Sequence, residues 1–259
     1  MLLFLKLSTV FLSVIVKCII WAVLSLGSFT VYAEKIQVVT EYLTPYQVLD
    51  DSGKLTGLST EILEEIFNLT GDNYEVQVLP WARAYLRALD TPNTLIYSIS
   101  RTPHREPLFH WIGAIRTDKI HLWGLRKKFP QPVDDIAQLK NHVVALVRSS
   151  YAEQYLRNSH FTNIYPVVTF EQSLKMLYRG RIDLILGDQV TLIPRINALK
   201  YDISKLIKLA EVKEISADLS FAFSLKTEPD IVHRYQKAYQ QLVNSGKITA
   251  IKRKWGLND

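Results

Sequence analysis

Two stretches of this chain carry the same order of hydrophobic periodicities, and that repeat restricts the fold more than any other feature of the sequence. In the first, Lys35 to Thr40 alternates as a strand does, Ser59 to Leu69 follows a helical stripe and Tyr74 to Leu79 alternates again; Trp81 to Leu89 is then helical and Thr94 to Ile99 a strand. In the second, Val143 to Val147 reads as a buried strand, Tyr151 to Asn158 as a helix and Ile164 to Val168 as a strand, before a helix over Phe170 to Tyr178 and a buried strand over Ile182 to Leu186. Both are β-α-β-α-β. Strands separated by short helices predict parallel sheets covered on both faces, and two such units predict an α/β chain of two lobes.

Local signals support the element order. Leu58, Ile62, Ile66 and Leu69 fall on one helical stripe, with Glu61, Glu64 and Glu65 early, where the helix dipole favours acids. Ser59 is the expected cap of that helix and Gly71 its stop. Three more strand-like runs, Lys119 to Leu125, Leu206 to Lys213 and Leu219 to Ser224, predict that the chain crosses to lobe two near His121 and returns near Ser216. Residues 34–120 then open lobe one, 121–215 form lobe two, and 216–259 return to lobe one as helices over Asp230 to Asn244 and Lys247 to Trp255. Two crossings make a hinge, and a cleft between hinged lobes can enclose a ligand.

Residues 1–33 contain Lys6 and Lys17 but no acid, and most of the span from Ser8 to Val31 is apolar. That is export-signal composition, ending in Val31-Tyr32-Ala33, so cleavage is expected after Ala33. A retained membrane anchor is the competing reading, because the apolar run approaches the ~18 to 20 residues that span a bilayer. Cys18 is the only cysteine, so the mature chain is without disulfides, thiolate nucleophiles or cysteine-held metals. Lys17 stands before Cys18 where lipid attachment needs a small residue, which points to a soluble periplasmic protein. The formal charge of +6 falls to +4 without Lys6 and Lys17, and the basic residues are dispersed. Nucleic acid, which calls for a clustered basic face, is not an expected partner.

The ordered landmarks of the mature chain resemble the bacterial extracellular solute-binding proteins of family 3, the amino-acid-type receptors of ABC transporters. Thr44-Pro45-Tyr46 and Gly53-Lys54-Leu55-Thr56-Gly57-Leu58 are similar to the family's first turn and hairpin. Ser100-Arg101-Thr102-Pro103-His104-Arg105, with Phe109 and Trp111 after it, is similar to the segment that follows the third strand. Val147 to Tyr151, then Arg179-Gly180-Arg181-Ile182-Asp183 with Gly187-Asp188, resemble the second lobe's landmarks, and Gly246-Lys247-Ile248 to Trp255 resembles the family's close. The resemblance implies the two-lobed type II periplasmic-binding-protein fold, a monomer, a small carboxylate-bearing ligand, ABC permease partners and no cofactor.

It also implies site residues. Arg105 matches the arginine that grips a ligand carboxylate, a task suited to a planar fork of donors; the alternative is an exposed loop arginine. Asp188 matches the acid that pairs with a ligand ammonium, or else it caps the following helix. Ser150 and Tyr151, beside Ser149, start a helix where free N–H groups favour an anion, although Ser149 or Ser150 would cap that helix in any case. Trp81 is a cleft aromatic or a core tryptophan. Ser98 and Ser100 replace a Gly and a Thr that usually meet the ligand's amino group, and Arg148 matches an often basic position. Arg83 and Arg87 form a solvated face or, turned inward, would favour a more anionic ligand.

An enzyme on the same fold, dehydratase-like, is the rival reading, with Glu41 its candidate acid or base. A ligand-sensing receptor module is the third. The six histidines show no metal-ligand spacing, and no Gly-x-Ser-x-Gly turn is present, so binding without catalysis is the expected activity. Mass spectrometry of the exported protein is expected to find a chain beginning at Glu34; a retained Met1 would establish the anchor instead.

Overall fold

The computed structural model describes residues 35–117 and 119–257. The export segment, Cys18 and the cleavage point after Ala33 lie outside the described residues.

Two five-stranded sheets organise the chain. The first contains β1 (Ile36–Thr40), β4 (Tyr74–Val78), β5 (Thr94–Ser100), β6 (Phe109–Thr117) and β12 (Asp218–Ser224), in the order β4-β1-β5-β12-β6. The second contains β7 (His121–Leu125), β8 (Val144–Val147), β9 (Ile164–Val167), β10 (Leu184–Gly187) and β11 (Leu206–Glu211), in the order β11-β7-β10-β8-β9. A short hairpin, β2 (Val48–Leu49) with β3 (Leu55–Thr56), sits outside both. Reversed, the second order matches the first, so each β-α-β-α-β unit builds the same arrangement, its second, first and third strands lying side by side.

Those three strands are parallel in each sheet. One strand in each sheet runs against both of its neighbours, β12 between β5 and β6, and β7 between β10 and β11. The sheets are therefore mixed and not all parallel, because the strands that carry the chain between sheets run against their neighbours. β6 is absent from the sequence-based expectation. Gly113 interrupts its pattern, and that glycine is required: a Cβ there would lie 2.2 Å from the Tyr239 ring, the close approach that a glycine within a strand often marks.

Helices cover both faces. Leu58, Ile62, Leu63 and Ile66 of α1 (Leu58–Thr70) pack on Tyr97, Phe221 and Phe223 together with Tyr235 of α6 (Pro229–Asn244) and Ile248 and Ile251 of α7 (Lys247–Lys254). On the opposite face, Trp81, Ala84 and Ala88 of α2 (Trp81–Asp90) meet Val39 and Ile96. In lobe two, α3 (Tyr151–Asn158) buries Leu156 on one face, while α4 (Phe170–Tyr178) and α5 (Gln189–Ala198) bury Leu174, Leu177, Leu192 and Ile196 on the other. Two details of α1 differ from expectation. Its N-cap is Gly57, and Ser59 is a buried residue inside the helix. Leu69 is 42% exposed, because the last turn runs past the core, whereas Phe67 turns inward and stacks on Tyr74.

The chain passes from the first sheet to the second between Thr117 and His121, and back between Glu211 and Asp218. Strand ends thus border the junction of the lobes.

Gly57 has φ 121°, and a Cβ on it would lie 2.3 Å from the Tyr46 carbonyl oxygen. Gly180, at φ 67°, would place its Cβ in open space. Gly57→Ala is therefore expected to destabilise the protein by about 2 kcal/mol or more, and Gly180→Ala by about 1 kcal/mol, as read by urea denaturation.

Candidate functional site

The carboxyl ends of corresponding strands in the two lobes face each other. Glu41 follows β1 and Ser149 follows β8; the Arg101 to Arg105 loop follows β5 and Asp188 follows β10. In open α/β sheets this rim is where ligands bind. Here it encloses a cavity of about 180 Å³, below the roughly 300–1,000 Å³ of sites for drug-sized molecules. One small molecule fits such a space, and a macromolecule does not.

Lobe one contributes Trp81, Ser98, Ser100 and Arg105 to the lining, and lobe two contributes Ser150, Tyr151 and Asp188. Arg148 is elsewhere, in a surface groove beside Tyr165, Gln172 and Arg179. Arg83 and Arg87 are exposed on α2, and Arg87 donates to Gln77; they are the solvated face of that helix.

Arg105 is 2% exposed, so the exposed-loop alternative fails. Thr102 turns the chain after β5 by accepting the Arg105 N–H at its carbonyl (2.9 Å) and its hydroxyl (3.3 Å). The guanidinium carbon then lies 5.2 Å from the Trp81 ring centroid, 4.8 Å from Tyr85 and 5.9 Å from Tyr151. Trp81 and Tyr85 are one helical turn apart on α2, so a single helix face supplies two of the three rings. One Nη donates to the Ser100 carbonyl at 3.3 Å. Burial lowers the affinity of the guanidinium for its proton, and the neighbouring Tyr85 works in the opposite direction, but an arginine stays charged. It forms no ion pair among the described residues.

The rest of the lining is more committed. Ser150 caps α3 by accepting the Glu153 N–H at 3.1 Å, and the Ser149 N–H donates to the Glu153 carboxylate at 2.8 Å. The Tyr151 hydroxyl donates to the Glu214 carbonyl at 2.8 Å. Asp188 caps α5: one oxygen accepts the Thr191 N–H at 2.9 Å and the other accepts the Thr191 hydroxyl. Ser98 has φ 58° at a bulge that displaces β5 against β12, a conformation that suits the glycine expected there. Its hydroxyl accepts from Gln47 and donates to Ser59 at 2.9 Å. Ser98 therefore braces lobe one from behind, with its hydroxyl already occupied.

Two cavity residues were not in the sequence-derived site. Arg195 on α5 is buried, pairs with Glu171 at 3.3 Å and lies 4.9 Å from the Phe170 ring centroid. Its signal was the polar set Asp188, Thr191 and Arg195 recurring at helical spacing. Glu41, read as a turn former or acid-base group, lines the same cavity. Burial pushes its carboxyl up to about 7; Arg195 opposes that shift, Glu171 adds to it and Arg105 opposes it.

Among the described residues, hydrogen bonds of Trp81, Arg195 and Gln154 join the lobes across the cleft. Trp81 Nε1 donates to the Ser149 carbonyl at 3.0 Å, Arg195 donates to the Tyr42 carbonyl at 3.1 Å, and Gln154 donates to a His104 ring nitrogen at 2.9 Å. These bonds hold the two lobes together on either side of the cavity.

No family model and no curated protein matches the sequence. Solved structures match it over nearly their whole length. A histidine kinase sensor domain with similarity to periplasmic binding proteins superposes with a TM-score of 0.75 at 19% identity, covering 86% of this chain and 96% of that one. The arginine-, lysine-, histidine-binding protein ArtJ of Geobacillus stearothermophilus does so at 0.73 and 17% identity, covering 86% and 95%. The GluR0 ligand-binding core from Nostoc punctiforme, solved with L-glutamate, reaches 0.70 at 19%, covering 85% and 98%. The fold is the type II periplasmic-binding-protein fold. No described helix is long and apolar enough to cross a membrane.

A carboxyl raised from 4.5 to about 7 holds its proton more tightly in the folded protein than in the unfolded chain. Glu41 therefore costs stability progressively as pH rises through that window, and the full cost is present above it. Glu41→Gln is expected to raise the thermal midpoint of the ligand-free protein by a few degrees at pH 8 and to change it little at pH 4.5, by differential scanning fluorimetry.

Proposed function

We propose that this protein is a periplasmic solute-binding protein that closes over one small carboxylate-bearing solute and does no chemistry on it. One observation carries the reading: Arg105 is a buried cation at the junction of two lobes, held by three aromatic rings and without an ion-pair partner among the described residues. A buried charge is costly unless paired, and a ligand carboxylate is the group that a guanidinium fork binds through two parallel bonds. The rings flank the planar fork and exclude water from it.

Arg105 and the Ser100 edge belong to lobe one, whereas Tyr151, Asp188 and Arg195 arrive from lobe two. Closure brings the second set to the first, so ligand binding shifts the hinge toward the arrangement joined by Trp81 to Ser149 and Arg195 to Tyr42. The closed shape is what a membrane partner would read. An ABC permease is the partner that the family resemblance implies. The likeness to a kinase sensor domain supports a second reading, in which the same closure signals; association of the closed form with permease subunits or with a kinase separates the two.

A thermal-shift screen of residues 34–259 against amino acids, organic acids, short peptides and polyamines is expected to find a carboxylate that raises the midpoint. Arg105→Ala should weaken it by about 2–5 kcal/mol, at least roughly thirtyfold in Kd. Small-angle scattering should show compaction on binding. Asp188→Ala should lower the ligand-free stability by about 1 kcal/mol through loss of the α5 cap. Unchanged affinity in Arg105→Ala would remove the anchor and, with it, this reading of the cleft.

A further inference from the structure

A second concavity, a surface groove of about 340 Å³, lies at the β9 edge of the second sheet, between the end of β8, β9 itself and α4. It shares no lining residue with the cavity between the lobes. Arg148, Lys175 and Arg179 bring three cations to it, all exposed, and none of their side chains has a hydrogen bond or ion pair among the described residues. No Asp or Glu lines it. The acid nearest each cation in sequence is spent elsewhere: Glu153 on Arg157, Glu171 on Arg195 and Asp183 on Lys128. Residues 121–215 carry 14 basic and nine acidic residues, so the surplus positive charge of the mature chain belongs to this lobe.

The helix dipole favours Lys175 and Arg179 at the end of α4. They are one turn apart, however, where like charges repel, and Arg148 is not on that helix. The same groove leaves Tyr165 52% and Val168 41% exposed, with Met176 half-buried beside them. Tyr, Met and Arg are residue types enriched where proteins meet. The frame that carries them is tied together. Gln172 of α4 accepts the Val168 and Thr169 N–H groups at 2.8 and 3.3 Å, and the Arg148 N–H donates to the Val167 carbonyl at 3.0 Å.

We propose that this groove docks an acidic segment of a partner protein, whose carboxylates bind Arg148, Lys175 and Arg179 and whose apolar side chain covers Tyr165, Val168 and Met176. A free anion satisfies the cations and leaves the apolar residues bare, whereas a peptide with both kinds of group meets both. Pro166 has no N–H to offer from the edge strand β9, so the segment binds through side chains and not by adding a strand. The charges are exposed, so salt weakens the contact. The inference goes beyond the solute reading and is independent of Arg105.

The experiment selects a phage-displayed random peptide library on residues 34–259 and measures the enriched peptides by fluorescence anisotropy. Wild-type protein is compared with a groove variant, Arg148→Gln, Lys175→Gln and Arg179→Gln together. The control is Lys127→Gln, Lys205→Gln and Lys213→Gln together, which removes equal charge from exposed lysines of the same lobe outside the groove. Arg148→Gln alone, off the helix, gives a readout that does not depend on the stability of α4, and Tyr165→Ser tests the apolar part. The expected peptides are rich in Asp and Glu around an aromatic or aliphatic residue. They should bind about tenfold more weakly to the groove variant, and about threefold more weakly to Arg148→Gln and to Tyr165→Ser. The control and Arg105→Ala should bind them as the wild type does. Peptides without an acidic bias, equal loss in the control, or full affinity in the groove variant would overturn the proposal. So would loss in Arg105→Ala, which would put the peptides in the cleft. Inorganic phosphate or phosphatidylglycerol vesicles that bind through the groove cations while no acidic peptide is enriched would make it an anion or lipid contact, which also overturns the proposal. Each of these failures except loss in Arg105→Ala leaves the solute reading untouched.

Discussion

A guanidinium with almost no exposure to water sits where two lobes meet, and the structure around it is arranged to make that tolerable. Removing an arginine from water is expensive, and three aromatic faces within about 6 Å return only part of that cost. Two of those faces come from α2 of lobe one, and the third comes from Tyr151 of lobe two. Full enclosure of Arg105 therefore depends on the lobes being together. The Trp81 bond to the Ser149 carbonyl and the helix start at Tyr151 both fix rings that flank this group.

The two lobes contribute differently to that enclosure, despite having the same strand order. Lobe one presents Arg105 and Glu41, which line the cavity and form no ion pair among the described residues. Lobe two presents groups already engaged, with Ser150 and Asp188 capping their helices, Arg195 paired with Glu171 and Tyr151 tied to the Glu214 carbonyl next to the return crossing. These groups are already satisfied by protein partners, so lobe two presents a set of side chains fixed by its own helix starts. The Tyr151 bond to Glu214 also links that set to the segment through which the chain returns to lobe one.

Sequence resemblance transfers unevenly because a side chain can keep its place in a motif while its atoms are spent elsewhere. Ser98 stands in the strand position where the family has a glycine, but its hydroxyl is occupied by Gln47 and Ser59 behind the cleft. Asp188 stands in the acid position and caps a helix. Arg148 is adjacent to the Ser149 turn in sequence and on another surface in space. All of the sequence-derived site residues except Arg148 do line the cavity, but of them Arg105 is the one charged group there not committed to a helix cap.

Hydrophobic periodicity by itself determined the element order and the two-unit organisation, because burial on one face leaves a period of two or of 3.6 whatever the partner is. It could not show the mixed sheets or β6, since strand direction and a glycine pressed against Tyr239 are matters of what lies alongside. The arginine at position 105 was legible as a candidate from its setting after the third strand. Its burial, the committed state of Asp188 and the unpaired state of Glu41 were decided only by tertiary structure, because whether a polar group is free to bind depends on neighbours that are remote in the chain.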